Sequence, residues 1–315
     1  MRKSRRDFIK KAGVTALFVP AMTWPLDALN HDPSKERLRV HIFSKHLQFL
    51  DLKKAGQIAA ELGFDGLDLT VRQKGHVLPE YVKKDLPQGI RDIKESGSNC
   101  EMITTTISDA ENPTDINTIE TAAAQGIIFY RSNWFKYKEG ISMEASLDLF
   151  EEKIRELAIL NRKNNIIGCY QNHSGTSIGA SIWEVKKILE SADPEFFGAQ
   201  YDIRHAVAEG GRSWTNGLKL IQDRIQTIVL KDFKWGKVNG TWKPVNVPIG
   251  QGMVDFNRYF TLLKKRGINP PVSLHLEYPL GGAEKGQNKI TIDQKIVFDA
   301  MKKDLKTIQK LWKQA

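Results

Sequence analysis

The sequence predicts an α/β protein folded as a single-domain (β/α)8 TIM barrel, and three observations predict it. Short apolar runs alternate eight times with amphipathic helical segments, the alternation reaches the C-terminus without a linker, and no GxGxxG follows the first apolar run. Strands that alternate with helices pair in parallel, and right-handed crossovers wind eight of them into one closed sheet. The missing glycine motif counts against a doubly wound open sheet, the alternative architecture. A chain of 315 residues has room for one such barrel, which runs to about 250 residues as a single unit.

Each unit is read from an apolar run and the amphipathic segment after it. The first is LRVHIFS with DLKKAGQIAAELGF, the second GLDLTVR with LPQGIRDIKESG, the third NCEMITTTI with TDINTIETAAAQG. The fourth is IIFYRSNW with SLDLFEEKIRELAILNRKNN, the fifth IIGCYQNH with SIWEVKKILESA, the sixth FFGAQYDIRHA with SWTNGLKLIQDR. The seventh run, IQTIVLKDF, leads into a Trp- and Gly-rich excursion, KWGKVNGTWKPVNVPIGQGMVDF, before the helix FNRYFTLLKKRG. The eighth, PVSLHLEY, precedes a long terminal helix from about Ile292. The barrel is expected over residues 36–315.

Residues 1–30 read differently. MRKSRRDFIKK is basic with paired Arg5 and Arg6, and the apolar stretch from Ala12 to Ala21 is too short to span a bilayer. SRRDFIK is similar to a twin-arginine export signal, which implies the twin-arginine export machinery as a partner and a periplasmic or extracellular location. No Cys follows the apolar stretch, so no stable membrane anchor is expected. The formal charge of +10 falls to +6 without this segment and is spread without a dense basic run, so no nucleic-acid partner is expected. Cys100 and Cys169 lack CxxC spacing and sit in strand-like runs, which reads as buried free thiols.

Chemistry in a barrel of this kind gathers at the C-terminal ends of the strands and the loops after them. Of the seven histidines, His46, His76, His173, His205 and His275 fall in that zone, while His31 and His41 do not. Side chains alternate along a strand, so Gln171 and His173 share one face of the fifth, and His275 and Glu277 one face of the eighth. Asp202 ends the sixth run, with His205 a short turn later. Gln171, Asp202, His275 and Glu277 together offer mixed oxygen and nitrogen ligands for a divalent ion, with His173, His205 and Lys231 around it. Two plainer readings stay open: Glu277 as a rim salt bridge to Lys231, and Asp202 as the cap of the next segment.

Several stretches carry a family resemblance: SKHLQFL, GFDGLDLTVR, GHVLPE, QNHSG, YDIRHA, LKDF, PIGQGMVDF and HLEY. From the first strand to the last, the chain resembles the xylose-isomerase-like TIM barrels called sugar phosphate isomerases/epimerases. The resemblance implies a metal site of Glu, Asp, His and Glu at strands five to eight. The Asp carries over to Asp202 and the last Glu to Glu277, but Gln171 holds the first Glu position and Val229 the His position. A retained site for Mn, Mg, Co or Zn would then need His275 or His205 as its nitrogen ligand. Otherwise Lys231 is left to stabilise an enolate oxygen without metal.

The resemblance also implies proton abstraction next to a carbonyl of a sugar or keto-sugar, by an isomerase, epimerase or related lyase, with no organic cofactor. In that reading Glu277 is metal ligand or base, His205 and His173 handle protons, and Lys231 steadies the oxyanion. Lys45, His46, Arg72, His76 and Arg131 are expected substrate contacts on strand-end loops, and Trp214, Trp235 and Trp242 flat faces for a sugar ring. The alternative is a metal-free carbohydrate-binding pseudoenzyme, which Gln171 and Val229 favour. A DNA-repair endonuclease on the same barrel would require a fuller His/Asp/Glu set than this chain offers.

Overall fold

The run VHIF, apolar and β-branched, forms β1 (Val40–Phe43), buried at every position. The structure, a computed structural model, describes residues 37–315; the export-signal reading of residues 1–30 and His31 lie outside the described residues. Asp51 accepts from the Lys54 amide to start α1 (Leu52–Leu62), and Gly63 ends it in the left-handed region that glycine adopts without strain. The next strand, β2 (Gly66–Val71), is again buried throughout although Asp68 interrupts its apolar run. Helix α2 (Val82–Glu95) begins a turn before the expected LPQGIRDIKESG and contains Pro87, whose missing N–H forfeits one helical bond without ending the helix.

The alternation then continues through β3 (Met102–Thr105), α3 (Pro113–Ala124), β4 (Phe129–Arg131), α4 (Met143–Asn164) and β5 (Ile167–Gln171). Next come α5 (Ile182–Ile188), β6 (Phe197–Asp202), α6 (Ile203–Gly210), α7 (Trp214–Ile221) and β7 (Ile225–Leu230). The excursion folds as a two-stranded antiparallel hairpin, β8 (Asp232–Val238) and β9 (Thr241–Val247). Last are α8 (Phe256–Lys265), β10 (Val272–Leu274) and α9 (Gln294–Gln314).

Eight strands close the barrel in the order β1-β10-β7-β6-β5-β4-β3-β2, all neighbours parallel. The expected (β/α)8 TIM barrel is therefore the fold. Burying both faces of every strand explains why their sequences read as continuous apolar runs. Cys100 and Cys169 are free and buried, as the sequence predicts. Among the described residues no helix is long and apolar enough to cross a membrane.

The register positions the site. Asp202 lies opposite Val229, and Val229 opposite Ser273, so the place of the absent histidine is beside Asp202, filled by a fully buried valine. Asp232, just past β7, then ties down both ends of the hairpin segment: its carboxylate accepts from the amides of Phe233, Gly250, Gly252 and Val254 at 2.8 to 3.2 Å.

Candidate active site

Three strand ends converge on one lysine. Lys231 Nζ, 3% exposed, lies 3.1 Å from Asp202 Oδ2 and 3.3 Å from Glu277 Oε2, and the other Glu277 oxygen is 3.3 Å from Lys45 Nζ. Both plainer sequence readings are thus realised: Glu277 pairs with Lys231, and Asp202 Oδ1 caps α6 by accepting from the His205 amide at 3.1 Å. They leave the second Asp202 oxygen facing the site. Burial pushes the Glu277 carboxyl up, but the charges of Lys231 and then Lys45 outweigh it and hold the group well below the usual carboxylate range.

Gln171 takes its role from the direction of its amide. Its Nε2 donates to Asp202 Oδ2 at 2.9 Å. A glutamate here would set a second carboxylate against Asp202. The amide instead supplies a proton to it.

The hydrogen bonds also decide which imidazole nitrogens are free. His205 Nδ1 meets the Ser174 amide at 3.1 Å and an Arg204 guanidinium nitrogen at 3.0 Å, both of which can only donate. The neutral ring therefore carries its proton on Nε2, which has no hydrogen-bond partner and points 3.6 Å from Asp202. In His275 the order is reversed. Ser273 donates to Asp68 at 2.5 Å, so its hydroxyl oxygen accepts from His275 Nε2 at 3.0 Å, leaving Nδ1 as a bare acceptor 3.7 Å from Glu277. Burial first, then the nearby Lys231 charge, keeps the His205 imidazole neutral well below its usual range. Burial likewise draws His275 down to about 3.

Two stacks flank this centre. Phe43 lies on His275, with ring centroids 4.2 Å apart, and Lys45 and Arg72 sit 5.5 and 5.7 Å from the Phe43 centroid. On the other side Arg131 covers Trp134 at 4.2 Å, Trp134 meets His173 at 4.6 Å, and His173 meets His205 at 4.0 Å. Trp134, Phe43, Asp68, Ser273, Ser174 and Arg204 are not singled out by the sequence. Trp134 had the same signal as Arg131, three residues past a strand end, and Asp68 the signal of a charge inside an apolar strand.

Other expected residues lie elsewhere or are spent. His46 has no exposed surface; Nε2 accepts from the Leu276 amide at 2.9 Å, which leaves the Nδ1 proton to donate to the Ala283 carbonyl at 3.2 Å. It keeps no nitrogen for a substrate and serves as a pin under the eighth strand end. His76 lines a cleft between the starts of α1 and α2, bonded through Nδ1 to Thr70. Trp214 is buried at the start of α7, 6.1 Å from Tyr259, rather than on a rim loop. Trp235 and Trp242 stand exposed on the hairpin.

A divalent ion needs lone pairs that converge on one point. Here Asp202 Oδ2 receives the Gln171 amide and Lys231, and Lys231 lies where it also reaches Glu277. Among the described residues no group of three or more His, Cys, Asp or Glu side chains is arranged to hold a metal. The residues do not fit a divalent ion as they stand; the cation among the carboxylates is Lys231.

A closed parallel barrel with carboxylates, lysines and neutral imidazoles gathered at its strand ends defines the class: a TIM barrel with a polar site at the usual face. More narrowly, the chain belongs to the xylose isomerase-like TIM barrel family, whose pattern matches residues 57–292. It is 38% identical over 79 residues to inosose dehydratases of Mesomycoplasma hyopneumoniae, a match covering 25% of this chain and 26% of theirs. The chain thus spans about a quarter of the length of these curated relatives. Among solved structures it resembles the 3-keto-D-glucoside 4-epimerase of E. coli, with a TM-score of 0.61, 11% identity, and 86% of this chain and 100% of that one covered. D-allulose 3-epimerase from Methylomonas sp. in complex with D-allulose gives 0.62, 15%, 87% and 97%. A Mycobacterium smegmatis protein of this barrel type, in complex with magnesium, gives 0.62, 14%, 86% and 99%.

Proposed function

We propose that this protein is an enzyme that removes the proton next to a carbonyl of a sugar or keto-sugar and returns it as an isomerase or epimerase, or loses a neighbouring hydroxyl as a dehydratase. The observation that carries this reading is Lys231 set between Asp202 and Glu277, with two proton acceptors, Glu277 Oε1 and His275 Nδ1, facing each other across 3.7 Å. Two acceptors without a proton between them form a place for one. Lys231 supplies the positive charge at a developing enolate oxygen, and the Nε2 proton of His205 gives a second donor beside it. In the free site the two lysines hold Glu277 ionised. A carbonyl oxygen that takes over Lys231 releases Glu277 to act as a base. The inosose dehydratase match and the epimerase folds support this class of chemistry.

Incubation with D-fructose, D-allulose and an inosose in heavy water, followed by proton NMR, tests the reading. Deuterium is expected at a carbon next to the carbonyl of one of them. Glu277→Gln keeps the volume and removes the base, and is expected to slow that exchange by about 10²–10⁴-fold. Saturable sugar binding without exchange would instead favour the carbohydrate-binding alternative, and a Glu277→Gln protein exchanging at the wild-type rate would leave Glu277 a structural rim residue.

A further inference from the structure

The two exposed tryptophans of the hairpin stand on the same face of it. Residues directly opposite each other in an antiparallel pair share a face, as do residues two apart along a strand. Trp235 lies opposite Pro244, Lys237 opposite Trp242 and Phe233 opposite Asn246, so one face carries Phe233, Trp235, Lys237, Trp242, Pro244 and Asn246. Lys234 and Lys243 fall on the other face. Within the two strands, Lys237 is therefore the one charge beside the tryptophans.

The inner end of that face belongs to the candidate active site. Asn246 Oδ1 accepts from Arg204 Nη2 at 3.0 Å, and Asn246 Nδ2 approaches the Glu277 carbonyl at 3.4 Å. The same guanidinium lies 4.9 Å from the centre of the Phe233 ring, and its Nη1 meets His205 Nδ1 at 3.0 Å. Trp235 continues outward from Phe233, with ring centroids 6.3 Å apart and the planes at 76°. Trp242 stands further out, about 13 Å from Asn246 at the spacing of a strand. Trp235 is 44% exposed and Trp242 65%. Single wet aromatics scattered over a surface are ordinary, but two on one face, in line with the site and next to a buried phenylalanine, form a flat wall leading out of it.

We propose that this wall binds the further rings of a neutral oligosaccharide whose terminal sugar occupies the site. This rests on the sugar reading given above and deepens it. A single hexose seated at Lys231 is shorter than the run from Asn246 to Trp242, so only a ligand with additional linked rings gains from that side chain. Equatorially substituted rings, such as those of a β-linked glucan, present flat C–H faces to an indole. A face with one lysine and no carboxylate offers little for an acidic or basic glycan to pair with. The hairpin then grips the chain while the barrel end holds the reacting ring.

Calorimetry on the whole protein with D-glucose, cellobiose and cellotriose tests the wall. Affinity is expected to rise with each ring, by about tenfold from D-glucose to cellotriose. Trp235→Ala and Trp242→Ala are each expected to cut that advantage to about twofold or less. Trp242 stands clear of the core, so its variant keeps the test available should Trp235→Ala, next to Phe233, loosen the hairpin. Cellotriose binding no tighter than D-glucose overturns the proposal, as does an advantage that survives in both variants. A dimer in light scattering that Trp242→Ala dissolves gives the face to a second copy of the chain and overturns it too. Length-dependent binding lost in the variants, with no deuterium entering any of the sugars tried above in heavy water, keeps the wall and sinks the proton-abstraction reading. Deuterium entry with nothing gained from added rings does the reverse.

Discussion

At the scale of single residues, the site turns on the group standing between Asp202 and Glu277. Removing the positive charge while keeping the length, as in Lys231→Met, leaves a fully buried Asp202 facing a second carboxylate, and breaking such a pair costs about 3–5 kcal/mol. The melting temperature should fall. Because the freed oxygens then resemble a cation site, Mn²⁺ is expected to recover part of the loss in the variant and to leave the wild type unmoved in a thermal melt. Stabilisation of the wild type by Mn²⁺ would show that its donors hold metal after all. Asp202, Lys231 and Glu277 were legible in the sequence because strand alternation and position at a strand end suffice to place them. The fates of His46 and His76 were not, since these depend on bonds to Ala283, Leu276 and Thr70 that no spacing reveals. The direction of the Gln171 amide, donating to Asp202, is likewise a property of its neighbour.

At the scale of elements, all eight barrel strands and most helices follow from apolar periodicity, and the hairpin is the part that did not. Its signal was present: Asn239 and Gly240 both have positive φ, +51° and +80°, the conformation a two-residue hairpin turn requires. Alternation in β8 and β9 is weak because the arm projects into solvent on both faces and buries little. Its base is fastened by Asp232, and a Cβ at Gly252 would collide with that carboxylate, which is why the approach needs glycine. Asp232→Ala strands four backbone N–H groups that converge on it. At about 1–3 kcal/mol for each one left buried, a loss of about 3 kcal/mol or more in urea unfolding is expected, with faster hydrogen exchange at the Gly250 and Gly252 amides. Unchanged exchange there would place the fastening elsewhere.

At the scale of the whole molecule, burial disfavours the protonated form of two histidines that lie away from the site, one on β1 and one in the cleft beside α1 and α2. His41, 1% exposed, is drawn down to about 4 chiefly by burial, and His76, also chiefly by burial, to about 4. In the unfolded chain both titrate near the ordinary 6.5, so between about pH 4 and 6.5 the unfolded state binds more protons than the folded one. Stability should therefore rise with pH across that window and level off above it as far as these groups are concerned. His41 alone accounts for roughly 3 kcal/mol of difference by pH 4. Denaturant midpoints flat from pH 4 to 7 would contradict this. The lysine among the carboxylates has a consequence for how the molecule is made. Lys231 is made with the chain, so the positive charge between Asp202 and Glu277 arrives when β6, β7 and β10 come together, and the two carboxylates never face each other alone once the sheet has closed.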